Sequence, residues 1–270
     1  MYLTRHMSED GPRWALDGVL LAPGFELGLL LQLRADVYET VLASMLTGEA
    51  ATGPLLAPIE APHEVWASGV TYLRSRDARQ AESETGDIYA RVYLAERPEL
   101  FMKASGWRVR GPEDSIRVRP DSDWSVPEPE VTLVINQHGE IVGYCAGNDV
   151  SSRSIEGANP LYLPQAKVYK GSCALGPGIL LMDPDEMRSL AIRLEIERDG
   201  AQVFAGETST AQMKRKFEEL VAYLCLELAF PLGVFLMTGT GIVPPDAFDL
   251  KPGDIVSVAV GDLVLVSGVE

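Results

Sequence analysis

Cysteine and histidine are scarce in this 270-residue chain, at three of each. Cys145, Cys173 and Cys225 are an odd number with no close pair, which argues against a disulfide framework and against a cysteine zinc site. They read as small buried hydrophobes in a reducing, cytoplasmic compartment. His6, His63 and His138 are scattered, and His138 sits in the turn-like Asn136-Gln137-His138-Gly139, so no catalytic histidine cluster is expected. Positive charge is also short. Lys and Arg total 23 against 39 Asp and Glu, a net charge of −16. Nucleic acid is therefore an unsuitable partner, because affinity for a phosphate backbone rests on clustered basic residues. Long apolar runs are missing too. The stretch Leu220–Met237 is broken by Glu227, Pro231 and Gly233, and Met1–Arg13 is too polar for a signal peptide, so no membrane partner is expected.

What remains is a globular composition, 46% hydrophobic and 23% charged, long enough for about two domains. Residues 1–60 read as a small N-terminal domain. Ala35–Gly48 has helical spacing, with Val37, Val41, Leu42 and Met45 on one side. Gly53-Pro54, Pro58 and Pro62 then form a connector to a larger domain, 61–270. Val65–Tyr72 reads as a strand. Arg74–Glu84 reads as a charged helix suited to a solvated face or to a lid, and Asp87–Ala95 as a second helix ended by Pro98. Beyond residue 116 the pattern becomes strand-like at Val131–Ile135, Ile141–Cys145, Ile179–Met182 and Leu190–Ile196. Asp199-Gly200 marks a hairpin into Ala201–Ala205, and Asp254–Val258 and Leu263–Val266 add two strands. Lys214–Phe230 reads as the clearest helix, with Phe217, Leu220, Val221, Leu224 and Leu228 on one face. Many β-elements with few helices predict an α+β fold built on a mixed sheet roll.

The most informative segment is Pro127-Glu128-Pro129-Glu130. Alternate residues of a strand share a face, so Glu128 and Glu130 point the same way and repel unless a cation lies between them. Such pairs also occur on solvated faces. A hairpin centred on His138 sets Glu128 opposite Asn148 and brings Asp149 beside it. Three converging carboxylates make an all-oxygen site that favours Mg²⁺, with Mn²⁺ or Ca²⁺ as substitutes. Lys167 follows within Gln165-Ala166-Lys167, and Thr238-Gly239-Thr240-Gly241 offers hydroxyls and backbone N–H groups suited to a carboxylate. Each of these is also compatible with an ordinary surface lysine and a tight turn.

Taken in order, Pro127-Glu128-Pro129-Glu130, Gly147-Asn148-Asp149-Val150-Ser151-Ser152-Arg153, Lys167, Leu175-Gly176-Pro177 and Thr238-Gly239-Thr240 resemble the fumarylacetoacetate hydrolase family over roughly residues 65–265. The resemblance implies a mixed β-roll, generally a homodimer, with a divalent metal on Glu128, Glu130 and Asp149 and a substrate site lined by Lys167 and Thr240. Hydrolytic and decarboxylating members often carry Asn-Tyr-x-x-His on the lid. Here the stretch is Thr71-Tyr72-Leu73-Arg74-Ser75, with serine in the histidine's place. That departure weighs against an acylpyruvate-type hydrolase or an oxaloacetate decarboxylase. Tyr72–Arg79, Glu96–Phe101 and Ser151–Lys167 are instead similar to the branch that dehydrates 2-keto-3-deoxy sugar acids. The implied reaction removes a C3 proton beside a metal-polarised ketone and expels the C4 hydroxyl. Lys167 or Glu99 would be the base, and Arg74, Arg76, Ser151, Arg153, Gln165 and Thr240 would contact substrate. A non-catalytic protein that binds a metal and a 2-keto acid is the alternative from another class.

Overall fold

The computed structural model describes residues 1–82 and 87–270. Its largest sheet has eleven strands. Ten of them run in the order Leu46–Ala50, Val19–Leu21, Gly11–Leu16, Tyr2–Ser8, Cys173–Leu181, Ile141–Asp149, Pro129–Ile135, Val234–Met237, Glu64–Ala67 and Phe101–Ser105, while Leu55–Leu56 pairs with Tyr2–Ser8. All these pairings are antiparallel except the one between Val234–Met237 and Glu64–Ala67. The N-terminal strands thus continue the same sheet, through Tyr2 opposite Leu180 and Leu3 opposite Ile179. A second, four-stranded sheet has the order Ala201–Ser209, Ala191–Arg198, Ile255–Val260 and Leu263–Gly268. With its mixed sheets and few helices, the fold is α+β, a mixed β-roll.

Strand Pro129–Ile135 is buried along its whole length, as a central strand covered on both faces must be. Val131, Leu133 and Ile135 face the four-stranded sheet, whose Ile192, Leu194, Ile196, Val256, Val258 and Val260 share their core. Val134 faces the other way, into a core shared with Leu27, Leu31, Tyr38 and Leu42 of the N-terminal segment. Ala191–Arg198 alternates between exposed and buried because only one of its faces is covered.

Two helices are shorter than their periodicity predicts. Lys214–Phe230 yields a helix only at Phe217–Leu224, and Leu228 is exposed. The start is lost because Lys216 is extended and the Arg215 guanidinium turns back onto the carbonyls of Val92, Ala95 and Glu96. Ala35–Gly48 resolves into a 3-10 turn at Ala35–Val37, a helix at Tyr38–Ser44 and the edge strand Leu46–Ala50. Gly48 has φ +82°, outside the helical region, and the buried side chains are Tyr38 and Leu42 while Val37 is exposed.

The hairpin at His138 departs from simple pairing in one residue, with a large consequence. Ile141 pairs with Ile135, as a hairpin centred on His138 requires. A bulge between Ile141 and Gly143 then shifts the register, so that Gly147 faces Glu130 and Asn148 faces Pro129 rather than Glu128. A one-residue shift exchanges the two faces of a strand. Without the bulge, Asp149 would point away from both glutamates. With it, Asp149 comes opposite Glu128, its N–H donating to the Glu128 carbonyl at 3.0 Å. The bulge is packed tightly: a Cβ on Gly143 would lie 2.4 Å from the Leu180 carbonyl oxygen, a backbone atom that cannot turn aside. Gly143→Ala is therefore expected to destabilise the protein by about 1–3 kcal/mol, the usual cost of overpacking, measured by urea unfolding.

Candidate active site and metal centre

Glu128, Glu130 and Asp149 each place a carboxylate oxygen within 4.8 Å of the others, and all three residues are buried. Two structural features permit that closeness. Opposite Glu130 stands Gly147, where a Cβ would meet Thr132 Oγ1 at 2.2 Å. Behind Glu130, the loop after strand Val234–Met237 sends the Gly239 N–H to Oε2 at 2.6 Å. Gly239 has φ +88°, and a side chain there would strike Thr71 Oγ1, which donates to the Thr238 carbonyl at 2.6 Å. Glycine is thus required on both counts, conformation and space.

Cations hold the carboxylates together. The Lys167 ammonium donates to Glu128 Oε2 and to Asp149 Oδ2, each at 2.9 Å. Arg79 Nη2 reaches Glu128 Oε1 at 2.6 Å, and Arg153 Nη2 lies 3.4 Å from the same oxygen. Lys103, at 0% exposure, pairs with Asp149 Oδ1 and donates to the carbonyls of Val150 and Lys167. Burial opposes the Glu128 carboxylate, yet Lys167 and Arg79 outweigh it and hold its pKa down at about 2. Burial likewise opposes the Lys167 ammonium, but Asp149, Glu128 and Glu156 keep it charged and push its pKa up. For Glu130 the balance is reversed: burial, then Asp149 and Glu128, outweigh Lys167 and the Gly239 N–H and push it well above the carboxylate range. Three buried hard-oxygen donors in mutual repulsion suit a divalent cation such as Mg²⁺.

These groups line a cavity of about 20 Å³, with Ser68, Gly69, Val70, Ser75, Arg79, Glu99, Phe101, Glu156, Leu163, Gly239 and Thr240. Glu99 enters from the loop before strand Phe101–Ser105. Burial first, then Glu156, raises its pKa to about 7. Among the described residues its carboxylate has no hydrogen bond or ion pair, and only its backbone carbonyl is held, by Ser68 Oγ at 2.9 Å. Arg79 comes from helix Leu73–Glu82, one turn after Ser75, so the two share the buried face of that helix. Its Nε lies 3.3 Å from Glu156 Oε1.

The sequence-based candidates divide clearly. Glu128, Glu130, Asp149, Lys167, Glu99 and Thr240 all line the cavity, and Arg153 buttresses Glu128 from outside it. Thr240 Oγ1 accepts from the Ile242 N–H at 3.1 Å, within its own turn. The other four lie off the cavity wall. Arg74 is exposed, Arg76 pairs with Asp77 and stacks over Tyr93, Ser151 Oγ donates to the Asp149 carbonyl, and Gln165 is exposed in a separate cleft. Arg79, Lys103 and Glu156 join this group from outside the sequence-based candidates. Arg79 had a usable signal in its i, i+4 spacing from Ser75; Lys103 and Glu156 come from segments whose approach only folding decides.

A family model described as fumarylacetoacetate (FAA) hydrolase C-terminal matches residues 64–268. The chain belongs to the fumarylacetoacetate hydrolase family. Within it, the chain is similar to a "Probable 2-keto-3-deoxyxylonate dehydratase" of Haloferax volcanii, 48% identical over 204 residues, 75% of this chain and 70% of the relative. It is also similar to the 2-dehydro-3-deoxy-D-arabinonate dehydratase of Saccharolobus solfataricus, 40% identical over 233 residues, 84% of this chain and 76% of the relative. A solved 2-keto-3-deoxy-D-arabinonate dehydratase, complexed with magnesium and 2,5-dioxopentanoate, superposes with a TM-score of 0.85 at 35% identity, covering 100% of this chain and 99% of that one.

In this member of the family, Lys103 supports Asp149 from a fully buried position. Lys103→Met leaves a buried carboxylate short of a partner, and a loss of about 3–5 kcal/mol in unfolding free energy is expected by urea titration. A change below about 1 kcal/mol would show that Lys103 is not what holds Asp149.

Proposed function

We propose that this protein is a Mg²⁺-dependent hydro-lyase of 2-keto-3-deoxy sugar acids, converting a 2-dehydro-3-deoxy-D-pentonate to 2,5-dioxopentanoate and water. One observation carries this reading: the buried Glu128–Glu130–Asp149 group shares its cavity with Glu99, a carboxylate poised near neutrality, and with no histidine. Similarity to the two dehydratases and to the solved complex supports it.

Glu128, Glu130 and Asp149 would hold the metal. Bound there, Mg²⁺ would supply Lewis acidity and positive charge to a 2-keto acid, with Mn²⁺ or Ca²⁺ as substitutes. Glu99 then takes the C3 proton, which the adjacent ketone acidifies; a pKa of about 7 lets it accept a proton and release it again. Two donors of Lys167 are engaged by Glu128 and Asp149, so its third N–H can serve the departing C4 hydroxyl. Loss of that hydroxyl leaves a C3=C4 double bond with an alcohol at C5. Moving a proton from C5 to C3 gives the C4=C5 enol: Glu99, now protonated, can return its proton to C3, while the C5 proton replaces the one that Lys167 gave to the leaving hydroxyl. Ketonisation of that enol, its hydroxyl proton passing to C4, yields the 5-aldehyde. Ser75, where hydrolases of the family often carry histidine, donates to the Tyr72 carbonyl at 2.9 Å and activates no water. Arg79 and Thr240 are the proposed substrate contacts. A cavity of about 20 Å³ holds about one water, so substrate binding must widen it.

All of this chemistry falls within 61–270, which we take as the catalytic domain beside the N-terminal 1–60. We place the enzyme in the cytoplasm, where its three unpaired cysteines would stay reduced. It is assigned a homodimeric or higher state, in keeping with side chains such as Trp107, 67% exposed. Among the described residues no helix is long and apolar enough to cross a membrane.

Exhaustive chelation should abolish dehydration and Mg²⁺ should restore it, while Glu128→Gln should stay folded and inactive. Full activity without metal would overturn the metal role. A base must be deprotonated to act, so kcat should rise with pH along an acid limb at or below about 7, a limb that Glu99→Gln removes together with most of the rate. Incubation with 2-dehydro-3-deoxy-pentonates, acylpyruvates and oxaloacetate should give 2,5-dioxopentanoate from the first and no cleavage of the others. Metal-dependent binding of the pentonate without turnover would favour the non-catalytic reading.

A further inference from the structure

Residues 68–70 form a loop in which the conformational demand and the glycine do not coincide. Val70 carries φ +55°, a left-handed conformation unusual for a β-branched residue. Gly69, beside it, lies outside that region and needs no special backbone freedom. The missing side chain matters for another reason. A Cβ on Gly69 would lie 2.1 Å from Glu99 Oε2 and 2.7 Å from Glu99 Cδ, closer than atoms can approach. The Glu99 carboxylate is packed against the bare Cα of Gly69. The same loop is fastened on both sides. Ser68 Oγ donates to the Glu99 carbonyl at 2.9 Å, and the Ser68 N–H donates to the Met237 carbonyl at 2.9 Å. Its carbonyl abuts Gly239, whose N–H serves Glu130. The seat of Glu99 is therefore tied to the loop that fixes a metal-site carboxylate.

We infer that Gly69 is a positioning residue for the dehydration, its empty side-chain position being the seat that aims the Glu99 carboxylate. This rests on the reading of Glu99 as the base. The clash concerns the end of a flexible side chain and not backbone, so Gly69→Ala can fold, with the carboxylate moved aside. Displacement of a proton acceptor by about 1 Å costs on the order of 10²-fold in rate. Gly69→Ala should accordingly lower kcat about 100-fold with KM within about threefold of the parent, because the substrate's own anchors are untouched.

The test is a double-mutant cycle with Glu99→Gln and a rescue with Glu99→Asp, followed in kcat, KM and melting temperature of the Mg²⁺-loaded enzyme. If Gly69 acts through Glu99, alanine at 69 adds no loss in the Glu99→Gln background. Gly69→Ala/Glu99→Asp, whose shorter carboxylate clears the methyl group, should regain rate over Gly69→Ala alone. Near-parental kcat in Gly69→Ala, or an equal loss in both backgrounds, overturns the inference. Parental activity in Glu99→Gln overturns the base assignment itself and is thereby distinguished. Should Gly69→Ala lower the melting temperature, Gly69→Ala/Glu99→Ala decides: recovery to the value of Glu99→Ala alone assigns the clash to the carboxylate, and no recovery assigns it to backbone and sinks the proposal.

Discussion

Three carboxyl groups brought together in a buried space are the constraint on which this site depends. Glu128, Glu130 and Asp149 repel one another where water screens little. The protein answers with cations from four separate segments: Arg79 of helix Leu73–Glu82, Lys103 of an edge strand, Arg153 of a short helix, and Lys167 between two of the carboxylates. The compensation is uneven. Glu128 receives most of it and is held far down, whereas Glu130, with one backbone N–H and the more distant pull of Lys167, is pushed far up. A divalent ion shared by the three would relieve the group that the protein's own cations leave worst served.

The fold delivers the carboxylates through a bulge, not through regular pairing. The strand pair of Pro129–Ile135 and Ile141–Asp149 has both faces buried, so a change of face would normally bury a charge in hydrocarbon. Here the bulge after Ile141 carries Cys145, Gly147 and Asp149 onto the face of Thr132, Glu130 and Glu128. Two cores flank the pair, and the three carboxylates lie on the strand face whose Val134 and Cys145 share a core with the N-terminal segment.

Ser75 and Glu99 separate this chain from the hydrolases of its family by simple chemistry. Hydrolysis needs an activated water, and a serine bonded to its own helix cannot provide it. Dehydration needs a proton acceptor next to a ketone and a donor next to a hydroxyl. In the proposed reaction Glu99, whose pKa burial and Glu156 raise to about 7, and Lys167, held charged by Glu128 and Asp149, would meet those two needs from opposite electrostatic environments.

The sequence by itself picked out Glu128, Glu130 and Asp149, the carboxylates that the fold brings together, because strand alternation in Pro127–Ile135 is a local property and the ordered motifs of the family are linear. It determined the absence of a lid histidine for the same reason. It placed the α+β class, since period and turn residues are also local. The length of the helix at Phe217–Leu224 was not legible, because Arg215 is drawn out of it by carbonyls more than a hundred residues away. Nor was the choice among arginines: Arg74, Arg76 and Arg79 lie in one charged run, and only packing of the helix decided that Arg79 turns inward. The face of Asp149 likewise depended on a single unpaired residue in the hairpin. Pairing register is a property of two strands and the cores on either side of them, and tertiary structure alone settles it.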